Sequence, residues 1–425
     1  MTVLRIRLRP GPLAAVVLWA ALVLAGHRLG AGLEARDPRV HVGAPPLVGM
    51  FDAVAGWRLL PAVVLAIAVV AWGPALAARA RFGALLAGSW LASLAWMVSL
   101  AASDGLRALA TPLTSRFEYL AVVPRIDGAG SFLRGFTDHL STYPTHVKGH
   151  PPGLPLALWA LDRAGLGGRW PATALVLCAG ALVVPAVLVT LRELCGAATA
   201  RGAASFLVLA PGAVWMATSA DALFAGTFAA GVALFALATG RSGTRGDLLA
   251  LAAGLALGAT LGMSYGAVPA GAIVLAVALA RRRIRPLLLA AAGVAIVLGA
   301  FAALGFWWPD GLQATRDLAL RGVLSRRPYT GFLVISFAAF ALAAGPAAAA
   351  GLARLRTAPA RVVVAGALAG LIAADLSGLS RGETERIWLP FLPWVLAGTA
   401  GLGRGWLAGQ AALGLALQVA VRSPW

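Results

Sequence analysis

The sequence predicts an all-α protein, a polytopic bundle of about 11 to 13 transmembrane helices that fills residues 1–425 as a single integral membrane domain. Two observations lead to this fold class. First, 60% of the residues are hydrophobic and only 12% are charged, whereas the surface helices of soluble proteins carry a charged face. Second, apolar runs long enough to cross a bilayer recur along the whole chain. The composition therefore excludes a soluble enzyme domain of ordinary size.

The predicted helices follow the apolar runs in chain order. The first run, from about 12 to 32, comes after Arg5, Arg7 and Arg9 and lacks a small-residue cleavage site at the right distance, so we expect a retained signal-anchor helix. The further spans are predicted near 59–78, 83–102, 170–191, 202–219, 222–239, 247–263, 265–280, 286–306, 330–350, 362–378, 388–403 and 406–420.

The positions of the arginines predict the orientation. The net charge of +19 does not indicate nucleic acid, because the arginines lie in short loops between apolar runs, where positive residues mark the cytoplasmic side. Only Lys148 among the 35 basic residues is a lysine, and with the abundant Ala and Gly this bias indicates a G+C-rich bacterial genome. We therefore expect a multi-pass protein of the bacterial plasma membrane with a cytoplasmic N-terminus. The loops assigned to the cytoplasm contain Arg79, Arg81, Arg192, Arg201, Arg241, Arg245, Arg281, Arg282, Arg283, Arg285, Arg354, Arg356 and Arg361.

This orientation requires that residues 151–162 do not cross the bilayer. At about 1.5 Å per residue they reach roughly 18 Å against a hydrocarbon core of roughly 30 Å, so they are predicted to form a short or re-entrant helix. Four segments then lie outside the cell: 33–58, 103–150, 307–329 and 379–387. Loops longer than about 15 residues are uncommon unless they are functional, so we expect the functional site in 103–150.

An amphipathic pattern within this loop predicts a further helix. Residues 127–140 place Phe132, Leu133, Phe136 and Leu140 on one helical face. The pattern favours a helix that lies in the membrane interface and covers the loop. Two interpretations of its role are equally good, namely a helix that gates access of a substrate and a surface helix that only packs on the bundle.

The segment Tyr143–Gly153 gathers His146, Lys148 and His150 in front of two prolines that start a helix. A helix N-terminus attracts anions, so Lys148 and His150 are candidate ligands for a phosphate. A proline-bounded loop at the lipid headgroups would explain the same residues. The spacing of these two histidines and His139 matches no known metal-ligand pattern. No cofactor is therefore predicted, although a divalent cation is left open.

Further candidates lie outside this segment. Glu118 stands before an apolar stretch, where a carboxylate can act as a general base. Asp221 lies at an outer junction of two spans, either as a functional acid or as a helix cap. Arg327 and Arg386 lie in the other external segments, where clustered cations indicate an anionic lipid. The candidate set is completed by Tyr119, His146, Tyr329 and Glu385.

Three motifs follow one another between about residues 103 and 240: Phe117–Tyr119 with its acid, His150–Gly153 with paired prolines, and Pro211–Phe224 with a later aspartate. Their order resembles that of the GT-C glycosyltransferases, in particular the protein mannosyltransferase-like and lipid A aminoarabinose transferase-like families. More narrowly, His146–Gly153 and Glu383–Phe391 resemble an actinobacterial integral membrane family that includes a protein assigned as a methylthioxylose transferase of cell-envelope glycans.

Two features depart from the GT-C pattern. The acidic motif holds one acid, Glu118, in place of a pair, and it follows the third predicted span in place of the first. We consider Asp37, Asp52 and Asp127 as candidates for the second acid.

The resemblance implies transfer of a sugar from a polyprenyl-phosphate donor to an extracytoplasmic cell-envelope glycan or lipid acceptor. In this interpretation Glu118 is the catalytic base, and Lys148, His150, Arg386 and Arg327 bind the donor phosphate. The alternative is a membrane transporter or flippase of an envelope lipid or glycan precursor, because many helices with buried charges also describe carriers. A non-catalytic scaffold of the envelope is a third interpretation.

Overall fold

A computed structural model describes residues 10–217, 219–355 and 358–423. Arg5, Arg7, Arg9 and Arg356, on which part of the predicted orientation rests, lie outside the described residues. The described chain is almost entirely helical. Its α-helices are α1 Pro10–Arg36, α2 Leu60–Arg79, α3 Phe82–Ala101, α4 Ala129–Gly135, α5 Thr145–Lys148, α6 Gly153–Arg163, α7 Arg169–Cys195, α8 Ala197–Val208, α9 Ala220–Thr239, α10 Gly243–Met263, α11 Gly271–Arg281, α12 Ile284–Ala303, α13 Trp308–Arg321, α14 Tyr329–Ala344, α15 Pro346–Leu352, α16 Ala358–Leu376, α17 Thr384–Ile387, α18 Leu392–Leu396 and α19 Arg404–Ala420.

The number of membrane-length helices is smaller than predicted. Within the described residues, eight helices (α1, α2, α3, α7, α9, α10, α12 and α16) are long and apolar enough to cross a membrane, and α14 with α15 would form a ninth. Four predicted spans instead contain the shorter helices α8, α11, α18 and α19. The all-α, multi-pass membrane architecture is thus confirmed, and the predicted count of 11 to 13 is too high for helices of full length.

Small residues allow the central helices to pack closely. In α9, 78% of the apolar window is buried, against 11% in α1 and in α2, so α9 is central and α1 and α2 lie at the periphery. A methyl group at Gly226 of α9 would collide with the backbone of Ala179 in α7, and one at Gly254 of α10 would collide with the backbone of Ala290 in α12. Side chains this small are typical of helix contacts within membranes.

The break between α14 and α15 turns the chain by 96° at Gly345, which has a φ of +79°. A bend of this size frees backbone groups that lipid cannot satisfy. Gln410 of α19 binds them: its amide nitrogen donates to the carbonyl of Ala344 at 2.6 Å, and its oxygen accepts from the N–H of Ala347 at 3.2 Å. The bend is therefore filled by a side chain of the protein itself.

One end of the bundle collects the arginines assigned to the cytoplasm. Arg201 donates to the carbonyl of Ala80 at 2.8 Å, and Arg241 lies 3.7 Å from the carboxylate of Glu193. Arg281 also donates to the backbone of Glu193. These contacts join short loops that are distant in sequence, as expected if the loops share one side of the membrane.

The opposite end brings together the four segments predicted to lie outside. Arg327 donates to the carbonyl of Val40 at 3.0 Å, and the N–H of Val48 donates to Glu385 at 3.2 Å. Thr315 donates to the carbonyl of Lys148 at 3.1 Å. Short antiparallel pairs add to this end, namely β1 Gly43–Ala44 with β2 Leu47–Val48 and β3 Met50–Phe51 with β4 Val421–Arg422.

The long loop is built from short turns. The helix predicted over 127–140 is reduced to the seven residues of α4, and its apolar side chains Phe132, Leu133, Phe136 and Leu140 are buried in the protein. These side chains pack on the bundle, and a position in the membrane interface and a role in gating stay predictions. The rest of the loop contains 3-10 helices at Ala102–Asp104, Leu106–Leu109, Pro112–Thr114, Tyr119–Ala121, Val123–Arg125 and Leu140–Thr142.

Candidate functional site

A buried acid and a histidine form the first part of the candidate site. The backbone N–H of His146 donates to the carbonyl of Phe117 at 3.0 Å, which fixes the start of α5 beside Glu118. Nδ1 of His146 then lies 2.7 Å from Oε1 of Glu118, whose side chain is only 5% exposed. In the described part of the chain, Oε2 of Glu118 has no hydrogen-bond partner. A buried carboxylate oxygen without a partner is costly and is a candidate for contact with a substrate.

His150 lies one helical turn after His146. Its Nδ1 is 2.8 Å from the carbonyl of His146, and since a carbonyl only accepts, a neutral ring carries its proton on Nδ1. The ring contacts Tyr119 and Phe224 at centroid distances of 5.8 and 5.4 Å. Burial lowers the pKa of His150, so the ring is neutral at pH 7 and supplies no positive charge to a phosphate.

Tyr119 fills the space beside these groups. Its side chain is buried. Burial, followed by the negative charges of Glu118 and Asp221, raises the pKa of the Tyr119 phenol well above its usual value. The phenol therefore stays protonated and neutral, and its hydroxyl can donate a hydrogen bond.

An arginine between two carboxylates forms the second part of the site. Arg386 in α17 pairs with Asp221 at the start of α9 and with Glu383 three residues before it. Ser219 caps α9: its hydroxyl accepts from the N–H of Asp221 at 3.1 Å and lies 2.7 Å from Oδ2 of that residue. Asp221 and Arg386 are both buried. Ser219 is thus the N-cap of α9, so the interpretation of Asp221 as the helix cap is wrong, and its role as a functional acid stays a prediction.

The two parts belong to one charge cluster. The charge of Glu118 acts on Arg386, and the charge of His146 acts on Glu383. Although burial opposes ionisation, the Arg386 guanidinium holds the pKa of Glu383 below its usual value. We call Glu118, His146, Asp221, Glu383 and Arg386 the acid–base cluster. The long loop, α9 and α17 each contribute to it.

Glu383 is the member that the sequence did not single out. It precedes α17 with a φ of +61°, a left-handed conformation that side chains rarely adopt. The same backbone turn sends its carboxylate back to Arg386. Two sequence signals could have found it: it is a second acid two residues before Glu385, and it opens the motif Glu383–Phe391.

The predicted phosphate ligand Arg327 and the candidate residue Tyr329 both have protein partners. Arg327 is buried, and its guanidinium donates to the backbone carbonyls of Val40 and His41 at 3.0 and 3.2 Å. Burial lowers the pKa of Arg327. Tyr329 donates from its hydroxyl to the carbonyl of Leu376 at 2.9 Å. Arg327 thus joins two external segments, and Tyr329 joins an external segment to the end of α16.

Lys148 differs from Arg327 and Arg386, because no carboxylate or carbonyl of the described residues is bound to its side chain. Its side chain is partly exposed, and no described carboxylate forms an ion pair with its ammonium group. The suggested second acids lie elsewhere: Asp52 and Asp127 are exposed, and Asp37 pairs with Arg39 at 2.8 Å. Arg386, on which the charge of Glu118 acts, pairs instead with the carboxylates of Asp221 and Glu383.

No three His, Cys, Asp or Glu side chains of the described ranges are arranged to hold a metal ion. In comparisons with known proteins, no family model, no curated protein and no solved structure matches the chain.

Proposed function

We propose that this protein is a membrane glycosyltransferase that moves a sugar from a polyprenyl-phosphate donor to an extracytoplasmic cell-envelope glycan or lipid acceptor. The observation that carries the proposal is the acid–base cluster: a buried carboxylate with one free oxygen, Glu118, lies among groups from three distant parts of the chain. A site of perturbed, mutually charged groups on a largely apolar scaffold is typical of catalysis.

In this reaction Glu118 acts as the general base. Oε2 of Glu118 accepts the proton of the acceptor hydroxyl, and the hydroxyl oxygen forms a bond to the anomeric carbon of the donor sugar. The bond between that carbon and the phosphate oxygen breaks, and polyprenyl phosphate leaves. His146 holds Oε1 and so directs Oε2 toward the acceptor.

Arg386 is a positioning residue in this mechanism. Asp221 and Glu383 already neutralise its guanidinium, so binding a phosphate would require the loss of a buried ion pair, which is costly. Its pairs instead fix α17 against the start of α9. Lys148 supplies the charge for the donor phosphate, because its ammonium group has no carboxylate partner within the described residues.

Substrate access requires movement of the long loop. Glu118 and Arg386 are 4% and 5% exposed, so an acceptor hydroxyl reaches Oε2 only after the covering chain opens. Loops that close over a site exclude water and often limit turnover.

The broken helix α14–α15 is the observation that favours a transporter, because carriers build their substrate sites at discontinuous helices. Here Gln410 occupies the break and binds the free backbone groups. A substrate site at this position would need Gln410 to leave. Of the two buried carboxylate oxygens without a partner among the described residues, those of Glu118 and Glu385, the oxygen of Glu118 lies in the acid–base cluster, which favours the transferase.

The envelope glycans of a deletion strain test the proposal. We expect loss of one sugar substituent, its restoration by the wild-type gene, and no restoration by Glu118→Gln. Asp127→Asn, an exposed acid in the same loop, is the matched control and should restore the glycan. Restoration by Glu118→Gln at wild-type level would remove the basis of the proposed mechanism. Accumulation of an untransported precursor inside the cell, with unchanged sugar transfer in membranes, would favour the transporter.

A further inference from the structure

A groove between α2 and α3 lies outside the acid–base cluster. It has a volume of about 940 Å³, which is within the range of small-molecule sites. Its apolar floor includes Pro61 and Leu65 from the first two turns of α2 and Ala95 and Val98 from the last two turns of α3. From Arg58 to Leu65 the floor descends about 10 Å along the helix axis, which takes it from the interface into the hydrocarbon layer.

The mouth of the groove is cationic. Arg58 and Arg107 lie on its two rims, and a methyl group on Gly105 would lie 3.7 Å from Nη1 of Arg58, so the guanidinium of Arg58 reaches the opposite rim. Neither arginine forms an ion pair with a carboxylate of the described residues. Asp104, the acid at this mouth, is paired with Arg422 at 2.9 Å.

Apolar side chains stand around the mouth. Trp57 and Leu106 are 76% and 72% exposed, and an aromatic ring at a helix end is typical of the membrane interface. Cations at the headgroup level above an apolar floor match a lipid with an anionic head and hydrocarbon chains. No member of the acid–base cluster lines the groove, so the lipid is held there and is not presented for reaction.

We propose that this groove binds an anionic diacyl phospholipid of the surrounding bilayer, with Arg58 and Arg107 on the phosphate and the acyl chains along α2 and α3. The site is independent of the proposed glycosyl transfer. A bound lipid of this kind stabilises the periphery of the bundle, where only 11% of the apolar window of α2 is buried.

The test measures the affinity of purified protein in detergent for fluorescent phosphatidylglycerol and for phosphatidylcholine with the same chains. We expect tighter binding of phosphatidylglycerol. Each guanidinium near an anionic headgroup contributes about fivefold in affinity, so Arg58→Gln with Arg107→Gln should weaken the binding of phosphatidylglycerol by about 25-fold. Ala95→Trp, which fills the floor of the groove without a change of charge, should weaken the binding of both lipids.

A matched control separates the groove from general surface charge. Arg163 and Arg169 are exposed at the same end, and Arg169 lies over the ring of Trp170 as Arg58 lies over Trp57. Arg163→Gln with Arg169→Gln should leave the affinity for phosphatidylglycerol unchanged. An equal loss in both double variants, or in neither, overturns the proposal. Displacement of phosphatidylglycerol by a lower concentration of undecaprenyl phosphate would overturn the assignment of the occupant.

Discussion

Oε1 of Glu118 lies 2.7 Å from Nδ1 of His146, and the backbone N–H of His146 donates to the carbonyl of Phe117 at 3.0 Å. The side-chain contact and the backbone contact together hold the carboxylate in one orientation. The second oxygen of this carboxylate, Oε2, has no hydrogen-bond partner among the described residues. This geometry gives the two oxygens of one carboxylate different roles.

Glu118→Gln should abolish transfer while the protein stays folded and inserted, because the amide keeps the shape of the side chain but cannot take a proton. General-base catalysis contributes about 10²- to 10⁴-fold. Turnover by purified protein from a polyprenyl-phosphate sugar is the measurement, with Asp127→Asn as the control. If Glu118→Gln turns over like wild type while Asp221→Asn is inactive, Asp221 is the base.

Lys148→Ala should weaken the binding of the donor with little change in the stability of the protein. The side chain of Lys148 is partly exposed, and its ammonium group has no ion-pair partner in the described chain. Loss of one charge-assisted hydrogen bond costs about 1.5–3 kcal/mol, or about 10- to 150-fold in affinity. Lys148→Arg should retain most of the binding. Titration with polyprenyl phosphate checks this, and equal affinity in wild type and Lys148→Ala would place the phosphate elsewhere.

Arg386→Ala should destabilise the fold, because it leaves Asp221 and Glu383 buried without their cation. Removing one partner of a buried pair costs about 3–5 kcal/mol. Adding Asp221→Asn to Arg386→Ala should recover part of that loss. Thermal unfolding of Arg386→Ala, Asp221→Asn and the double variant in detergent measures the coupling between the two residues. Strictly additive effects would contradict the role assigned to the pair.

Glu385 should make stability depend on pH. Burial, assisted by the charge of Glu383, raises the pKa of Glu385 to about 7. Between about pH 4.5 and about 7 the folded protein binds more protons at this carboxyl than the unfolded chain does, so the free energy of unfolding falls as pH rises through this window. The free energy of unfolding falls by up to about 3 kcal/mol across this window.

Glu385→Gln should remove this dependence and stabilise the protein at pH 7.5, because the amide cannot ionise and can still accept from the N–H of Val48. Unfolding temperatures at pH 5 and pH 7.5 check the prediction. Asp52→Asn, an exposed acid, is the control. An unchanged pH profile in Glu385→Gln would falsify the assignment.

Residues near Gly130 should lie outside the cell and residues near Ser242 inside. The two positions lie at opposite ends of the bundle, one with the external segments and one beside the arginine-rich loops. Single cysteines at each position, labelled by a membrane-impermeant reagent on intact cells, distinguish the ends. Labelling of residue 242 but not of residue 130 would reverse the orientation and move the acid–base cluster to the cytoplasm.

The helical membrane architecture and the division of the loops between two ends were predictable from the sequence. Both depend on local properties, the length of apolar runs and the charge of the loops between them. The sequence could not fix the number of full-length helices, because a break such as that at Gly345 is stabilised by a distant residue, Gln410.

Which candidate residues meet depends on the packing of the folded chain. Glu118, His146, Asp221 and Arg386 were all candidates, but their pairing depends on how the long loop, α9 and α17 pack. The partners of Arg327 are backbone carbonyls, which carry no signature in sequence. A charged residue in an external segment looks the same in sequence whether it binds a ligand or ties loops together, because its role is set by the groups that surround it after folding.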